Sequence, residues 1–186
     1  MSPDLAGIAR QVRIVFLDVD GVMTDGGVYL GATEGGDRVE MKRFSILDGL
    51  GIHLMKRAGI TPVIITGRVS EAVRMRAAEL EIEECHQTGA ARKLELARDV
   101  LERHGIGWEQ TACLADDLAD LPVLRRVALP AAVRNAVPEV RATARWVSRR
   151  EGGSGAVREL IEMLLRARGL WTRTVDEYLD ERDDGA

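Results

Sequence analysis

The sequence predicts an α/β domain built on a three-layer, doubly wound parallel sheet, and three observations carry that expectation. Short apolar runs at 14–17, 61–66 and 111–115 lack the in-out alternation of half-exposed strands, as expected of strands buried on both faces. Longer segments with helical spacing of apolar residues separate them, the pattern of βαβ units. Each run ends in polar residues or glycine: Asp18 and Asp20, Thr66 and Gly67, Asp116 and Asp117. In open α/β sheets, ligands bind just beyond the carboxyl ends of the strands.

Composition bounds the remainder. With 186 residues and 46% apolar content, the chain can build one core, so one domain is expected. The net charge of −4 hides an uneven distribution. Six acids and one arginine from Asp176 onward account for −5, leaving residues 1–175 at +1. No basic field for nucleic acid is present, and the acidic end reads as a tail. Cys85 and Cys113 fall one in each of two expected strands, which suits buried thiols in a reducing compartment rather than a disulfide framework. No apolar run approaches the roughly 18 residues of a membrane span. The N-terminal segment, with Asp4, Arg10 and Arg13, has no signal-peptide pattern. A cytoplasmic protein without a membrane partner is expected.

In chain order, the first strand (14–17) runs into Asp18-Val19-Asp20-Gly21, where glycine permits a tight turn past two acids. Segments 27–31 and 38–44 flank a Gly35-Gly36-Asp37 turn, and Val39 and Met41 alternate with Glu40 and Lys42. They read as a β-hairpin. Such a hairpin is marginal alone, so it is expected to pack against something, another subunit being the candidate. A helix follows from Asp48 to Ala58, burying Leu50, Leu54 and Met55, with His53 outward and Gly59 as its C-terminal cap. After strand 61–66, Thr66-Gly67-Arg68 reads either as a plain strand-to-helix turn or as an anion cradle of hydroxyl and backbone N–H groups.

A helix over 70–80, a strand near 84–86 and a helix from Lys93 to Arg103 come next. Lys93 lies in a first helical turn, where a cation opposes the dipole. That is tolerable at a surface, and equally explicable if the ammonium meets phosphate and carboxylates. Strand 111–115 ends in Asp116, Asp117 and Asp120. With Asp18 and Asp20 these make an oxygen-rich set of the kind Mg²⁺ prefers. Outer strands are expected at 127–129 and 145–147, with helices at 138–144 and 156–168. Trp171, Val175, Tyr178 and Leu179 share a helical face in the C-terminal segment. Residues 1–168 are expected to form the core, with the hairpin at about 27–44, and 169–186 a terminal helix and acidic tail.

Four motifs in order, Asp18-Val19-Asp20-Gly21-Val22-Met23-Thr24-Asp25-Gly26, Thr66-Gly67-Arg68, Lys93 and Asp116-Asp117, resemble those of the haloacid dehalogenase superfamily. Its phosphatases of sugar-acid phosphates are the nearer match, through the hairpin, Asp48-Gly49-Leu50-Gly51 and Gly152 to Glu159. The resemblance covers about residues 12–168 and implies a Rossmann-like core without a cap domain. It implies that Asp18 attacks phosphorus and forms an aspartyl-phosphate, with Asp20 as acid and base. Lys93 would bridge phosphate and Asp18; Thr66, Gly67, Arg68 and Asp48 would hold the substrate. Mg²⁺ would sit on Asp18, the Asp20 carbonyl and Asp116, with Asp117 orienting Lys93 or the metal surroundings. The substrate implied is the phosphate of an eight-carbon sugar acid, a nine-carbon sialic-acid relative being the alternative. Four subunits would assemble through their hairpins, and the region from Gly152 onward would approach a neighbour's site. The reading from another class is a non-catalytic tetramerisation module, which should have lost the motif residues retained here. Ala115, Leu47 and the spacing of Gln87-Thr88-Gly89 before Lys93 depart from the family pattern.

Overall fold

A helix that pattern reading passes over opens the chain. The computed structural model describes residues 2–88 and 92–183, and α1 (Pro3–Gln11) starts with proline in its first turn and Ser2 Oγ accepting from the Leu5 N–H. Strand β1 (Ile14–Leu17) follows, every residue buried. The hairpin β2 (Tyr29–Ala32) and β3 (Arg38–Met41) is antiparallel, pairs Tyr29 with Met41, and stays outside the main sheet. Then come α2 (Ile46–Arg57), β4 (Thr61–Thr66), α3 (Glu71–Glu79), β5 (Glu84–Gln87) and α4 (Lys93–His104). The chain continues with β6 (Thr111–Ala115), α5 (Leu121–Leu124), β7 (Leu129–Ala132), α6 (Pro138–Thr143), β8 (Trp146–Val147), α7 (Ala156–Ala167) and α8 (Trp171–Asp183).

Six strands form one parallel sheet in the order β5-β4-β1-β6-β7-β8. The chain steps outward from β1 through β4 to β5, then returns to the other side of β1. That reversal puts the switch point between β1 and β6, where Leu17 lies level with Leu114 and a crevice opens beyond the strand ends. Helices α1, α2, α7 and α8 pack together, as do α4, α5 and α6. Helix α7 buries Ala156, Val157, Leu160, Ile161, Leu164 and Leu165, a stripe repeating every three to four residues that drives it onto the core.

Three expectations change. The strand expected as an outer one at 127–129 lies at 129–132, inside the sheet between β6 and β8, with Pro130 within it. Proline is rare in inner strands, which hides this one from pattern reading; here its carbonyl still accepts the Arg145 N–H at 2.8 Å. The acidic end is helical through Asp183, and Arg57 clamps Glu181 with contacts of 2.5 and 2.6 Å; Asp184 and the last two residues lie outside the described residues. On α8, Trp171, Val175 and Tyr178 pack on the core, but Thr174 is buried and Leu179 exposed, because positions three, four and seven on from Trp171 share the inner face. Similarly α2 buries Ile52 along with Leu54 and Met55, while Leu50 is half-buried and His53 faces outward beside Tyr178.

The loop before α7 rests directly on the loop after β1. Gly153 N–H donates to the Val22 carbonyl at 2.9 Å, and a Cβ on Gly152 would lie 1.8 Å from the Gly21 carbonyl oxygen. A methyl group there has backbone, not a flexible side chain, in its way. Gly152→Ala is therefore expected to cost about 3 kcal/mol, at the upper end for overpacking. Gly7→Ala, in open space on α1, should instead stabilise by about 0.5 kcal/mol through helix propensity. Urea midpoints of the two variants check this pair.

Candidate active site

The carboxyl ends of β1 and β6 present the site. Beyond Leu17 the backbone stays extended at Asp18 and then winds into a wide turn over Val19–Met23, which Gly21 allows with φ of +87°. Thr24 ties this loop together. Its Oγ1 accepts from the Gly21 and Gly26 N–H groups at 3.3 Å each and donates to the Val19 carbonyl at 3.2 Å. After β6, Asp117 accepts from the Leu118 N–H at 2.7 Å and caps a tight turn over Leu118–Asp120. The turn brings Asp120 back toward β1.

Between the two loops stands Lys93. Its Nζ lies 2.8 Å from Asp18 Oδ1 and 2.8 Å from Asp120 Oδ1, and all three side chains are buried. The lysine in this first helical turn is not at the surface: it meets two carboxylates. Carboxylate oxygens of Asp18, Asp116 and Asp120 come within 4.8 Å of one another. Burial and the neighbouring Asp18 charge push Asp116 up from 3.8 to about 7. Asp120 is likewise raised to about 7, by burial first and Asp18 second. Burial also raises Asp18, against the pull of Lys93. Burial works against the charge on Lys93, yet Asp18 and Asp120 outweigh it and hold the ammonium above its ordinary value.

Three carboxylates around one ammonium leave negative charge uncompensated, and the donor set is all oxygen, which suits Mg²⁺. Two further observations fit a cation. Asp116 Oδ1 and Asp120 Oδ2 are buried without a hydrogen-bond partner. A Cβ on residue 21 would fall 2.0 Å from Asp116 Oδ2, so Gly21 leaves space beside that carboxylate. A consequence for stability follows from the raised carboxylates. Folded Asp116 and Asp120 keep their protons up to about 7, whereas the unfolded chain loses them near 3.8. Their stabilising contribution is complete below 3.8 and is lost as pH rises through about 7. Metal binding requires the deprotonated ligands. The melting temperature in EDTA should therefore fall between pH 5.5 and 8, and added Mg²⁺ should raise it more at pH 8; an Mg²⁺ shift independent of pH would refute this.

The remaining candidates are distributed around this centre. Asp20 keeps its carboxylate apart from the triad: Lys42 grips Oδ1, and Arg68 Nε lies 3.5 Å from Oδ2. Arg68 also reaches Glu40 at 3.3 Å. Thr66 is buried, its Oγ1 accepting from the Arg68 N–H at 3.5 Å, and Gly67 is exposed beside it. Asp48 is buried at the start of α7. Its oxygens accept from the Arg158 N–H at 2.8 Å and the Gly155 N–H at 3.3 Å, so it caps α7. The carboxylate that shares Lys93 with Asp18 is Asp120, with Asp117 spent on its own turn. Sequence reading assigns no individual role to Asp120, Lys42 or Thr24. Asp120 carried a signal, one turn beyond Asp116 and able to fold back; Lys42 carried none, because strand alternation does not say which hairpin face turns inward. Of the departures from the family spacing, Gly89 lies outside the described residues.

A parallel sheet whose first core strand ends in Asp18-Val19-Asp20, with lysine from a later helix start and acids after the neighbouring strand, defines the class: haloacid dehalogenase superfamily hydrolases. No family model matches the chain. The 3-deoxy-D-manno-octulosonate 8-phosphate phosphatase KdsC of Escherichia coli K12 is 41% identical over 169 residues, covering 91% of this chain and 87% of the relative. The crystal structure of the Yersinia pestis 3-deoxy-D-manno-octulosonate 8-phosphate phosphatase matches with a TM-score of 0.87 at 37% identity, over 92% of this chain and 90% of that one. The Moraxella catarrhalis enzyme, crystallised with magnesium, phosphate and KDO, matches at 0.88 and 32% identity, over 96% and 99%. The chain belongs to the 3-deoxy-D-manno-octulosonate 8-phosphate phosphatase family of haloacid dehalogenase superfamily phosphatases.

Proposed function

We propose that this chain is a Mg²⁺-dependent phosphatase of 3-deoxy-D-manno-octulosonate 8-phosphate that works through an aspartyl-phosphate. The observation that carries the reaction is the convergence of Asp18, Lys93 and Asp116 at the switch point, beside the Asp20 carboxylate. The substrate rests on relatives that share 41% of residues over most of both chains. In the first step an Asp18 oxygen attacks phosphorus, the bond from phosphorus to the sugar oxygen breaks, and Asp20 delivers a proton to that oxygen. In the second, Asp20 takes a proton from water as the water oxygen attacks phosphorus; inorganic phosphate leaves and Asp18 is restored. Phosphoryl transfer depends mainly on positioning and charge stabilisation. Lys93 holds Asp18 and meets a phosphoryl oxygen, while Thr66, Gly67 and Arg68 offer hydroxyl, backbone and guanidinium donors to the others.

The carboxylates of Asp18 and Asp116 and the backbone carbonyl of Asp20 would hold Mg²⁺, which when bound neutralises charge on the carboxylates and phosphoryl group. Asp117 and Asp48 serve indirectly, through the turn that presents Asp120 and through the seat of α7 over the β1 loop. The hairpin has no strand partner beyond itself among the described residues and exposes Tyr29, Leu30 and Met41. In our reading it builds a homotetramer, whose neighbours close the site in place of a cap domain. No helix among the described residues is long and apolar enough to cross a membrane. We place the enzyme's work in the cytoplasm, a reducing compartment that suits the free thiols of Cys85 and Cys113. The deciding experiment is phosphate release across eight- and nine-carbon sugar-acid phosphates with and without Mg²⁺. Preference for the nine-carbon acid, or none for the eight-carbon one, would overturn the substrate; light scattering at the mass of one chain would overturn the tetramer.

A further inference from the structure

We infer that Lys42 is a positioning residue for the proton transfer at Asp20. The inference rests on the proposal that Asp20 is the acid, and it adds a residue from the hairpin to that step. Lys42 follows β3 directly, and the bridge between Thr24 and Phe44 pins its end of the hairpin against the β1 loop. Its side chain is fully buried, unusual for lysine without paired charge. The ammonium contacts Asp20 Oδ1 and lies 3.8 Å from Glu40 Oε1. Glu40 in turn holds Arg68 at 3.3 Å and has Arg38 at 3.8 Å, so a charged network links Lys42 and Asp20 to Arg68.

The two oxygens of Asp20 are treated differently. Oδ1 is gripped by Lys42, while Oδ2 is buried without a hydrogen-bond donor, Arg68 Nε standing off at 3.5 Å. A buried, unpartnered oxygen is costly unless something uses it. With Oδ1 fixed from the hairpin and Arg68 Nε beside Oδ2, the Asp20 carboxylate cannot rotate freely and meets a substrate in one orientation. Lys42 thus fixes where the Asp20 carboxylate stands and how it is turned, a role in orientation rather than binding.

Leaving-group dependence separates this role from a structural or phosphate-binding one. An alkoxide leaving group needs the proton from Asp20; para-nitrophenolate leaves without one. Because kcat/KM covers the chemistry only through leaving-group departure, Lys42→Met and Lys42→Gln should lower it about 100-fold for the sugar-acid phosphate, the scale of general acid catalysis. For para-nitrophenyl phosphate the change should stay within about threefold, since no acid catalysis is lost there. Lys42→Arg, which restores a cation at Oδ1, should recover most of the loss. Equal losses on both substrates, a raised KM with unchanged kcat, or unfolding of all three variants would overturn the assignment. Wild-type protein that releases phosphate from neither compound would instead overturn the phosphatase reading, and the role of Lys42 with it.

Discussion

Asp18→Asn is expected to abolish Mg²⁺-dependent phosphate release, lowering kcat by at least about 10³-fold, because an amide cannot form the acyl-phosphate bond. The fold should survive. Asparagine fills the same space, Lys93 keeps its 2.8 Å contact with Asp120, and burial already works against charge on Asp18. The metal-free variant should therefore melt no lower than wild type at pH 8, where three carboxylates would otherwise crowd one ammonium. Phosphate release by the purified variant, read beside its melting curve, checks both halves. Activity within tenfold of wild type would remove Asp18 as the nucleophile; loss of fold would remove the claim that its charge is a cost.

Lys93→Met carries the second large effect, and here activity and stability fall together. Methionine resembles lysine in length but leaves buried Asp18 and Asp120, with half-buried Asp116 close by, without their one ammonium. Removing one partner of a buried ion pair typically costs about 3–5 kcal/mol, and an electrostatic contact to the reacting group is worth about 10²–10³-fold in kcat. The stability loss has a sign in pH. Without Lys93 the carboxylates prefer their protonated forms still more strongly than the value of about 7 that Asp116 and Asp120 already show. The penalty should be greatest at pH 8 and shrink at pH 5.5, where protons replace the missing charge. Denaturant midpoints of variant and wild type at both pH values test this; a penalty equal at the two would show that lost packing, not charge, explains it.

Much of this is legible without coordinates. The unalternating runs at 14–17, 61–66 and 111–115 mark central strands because burial on both faces leaves no polar side to show. Acids and hydroxyls at their ends then fall on one edge of the sheet. What is not legible has physical causes. Pro130 sits inside a strand because a parallel ladder can use its carbonyl alone. Asp120 joins the site because a tight turn after Asp117 folds it back toward Lys93. Lys42 points inward while Met41 is exposed; alternation distinguishes two faces of a hairpin but not which one meets the protein. Asp48 caps α7 with both its oxygens, a contact across more than a hundred residues that no local pattern announces.

By itself, then, the sequence determined the three central strands, the order of the motifs and the acid pair at the end of the first strand, because those depend on local periodicity and on the chain direction of a parallel sheet. Only the tertiary structure decided which charges share a buried space: Lys93 between Asp18 and Asp120, and Lys42 on one oxygen of Asp20. Those pairings depend on desolvation and on distances between segments far apart in the chain, and neither quantity exists until the layers close.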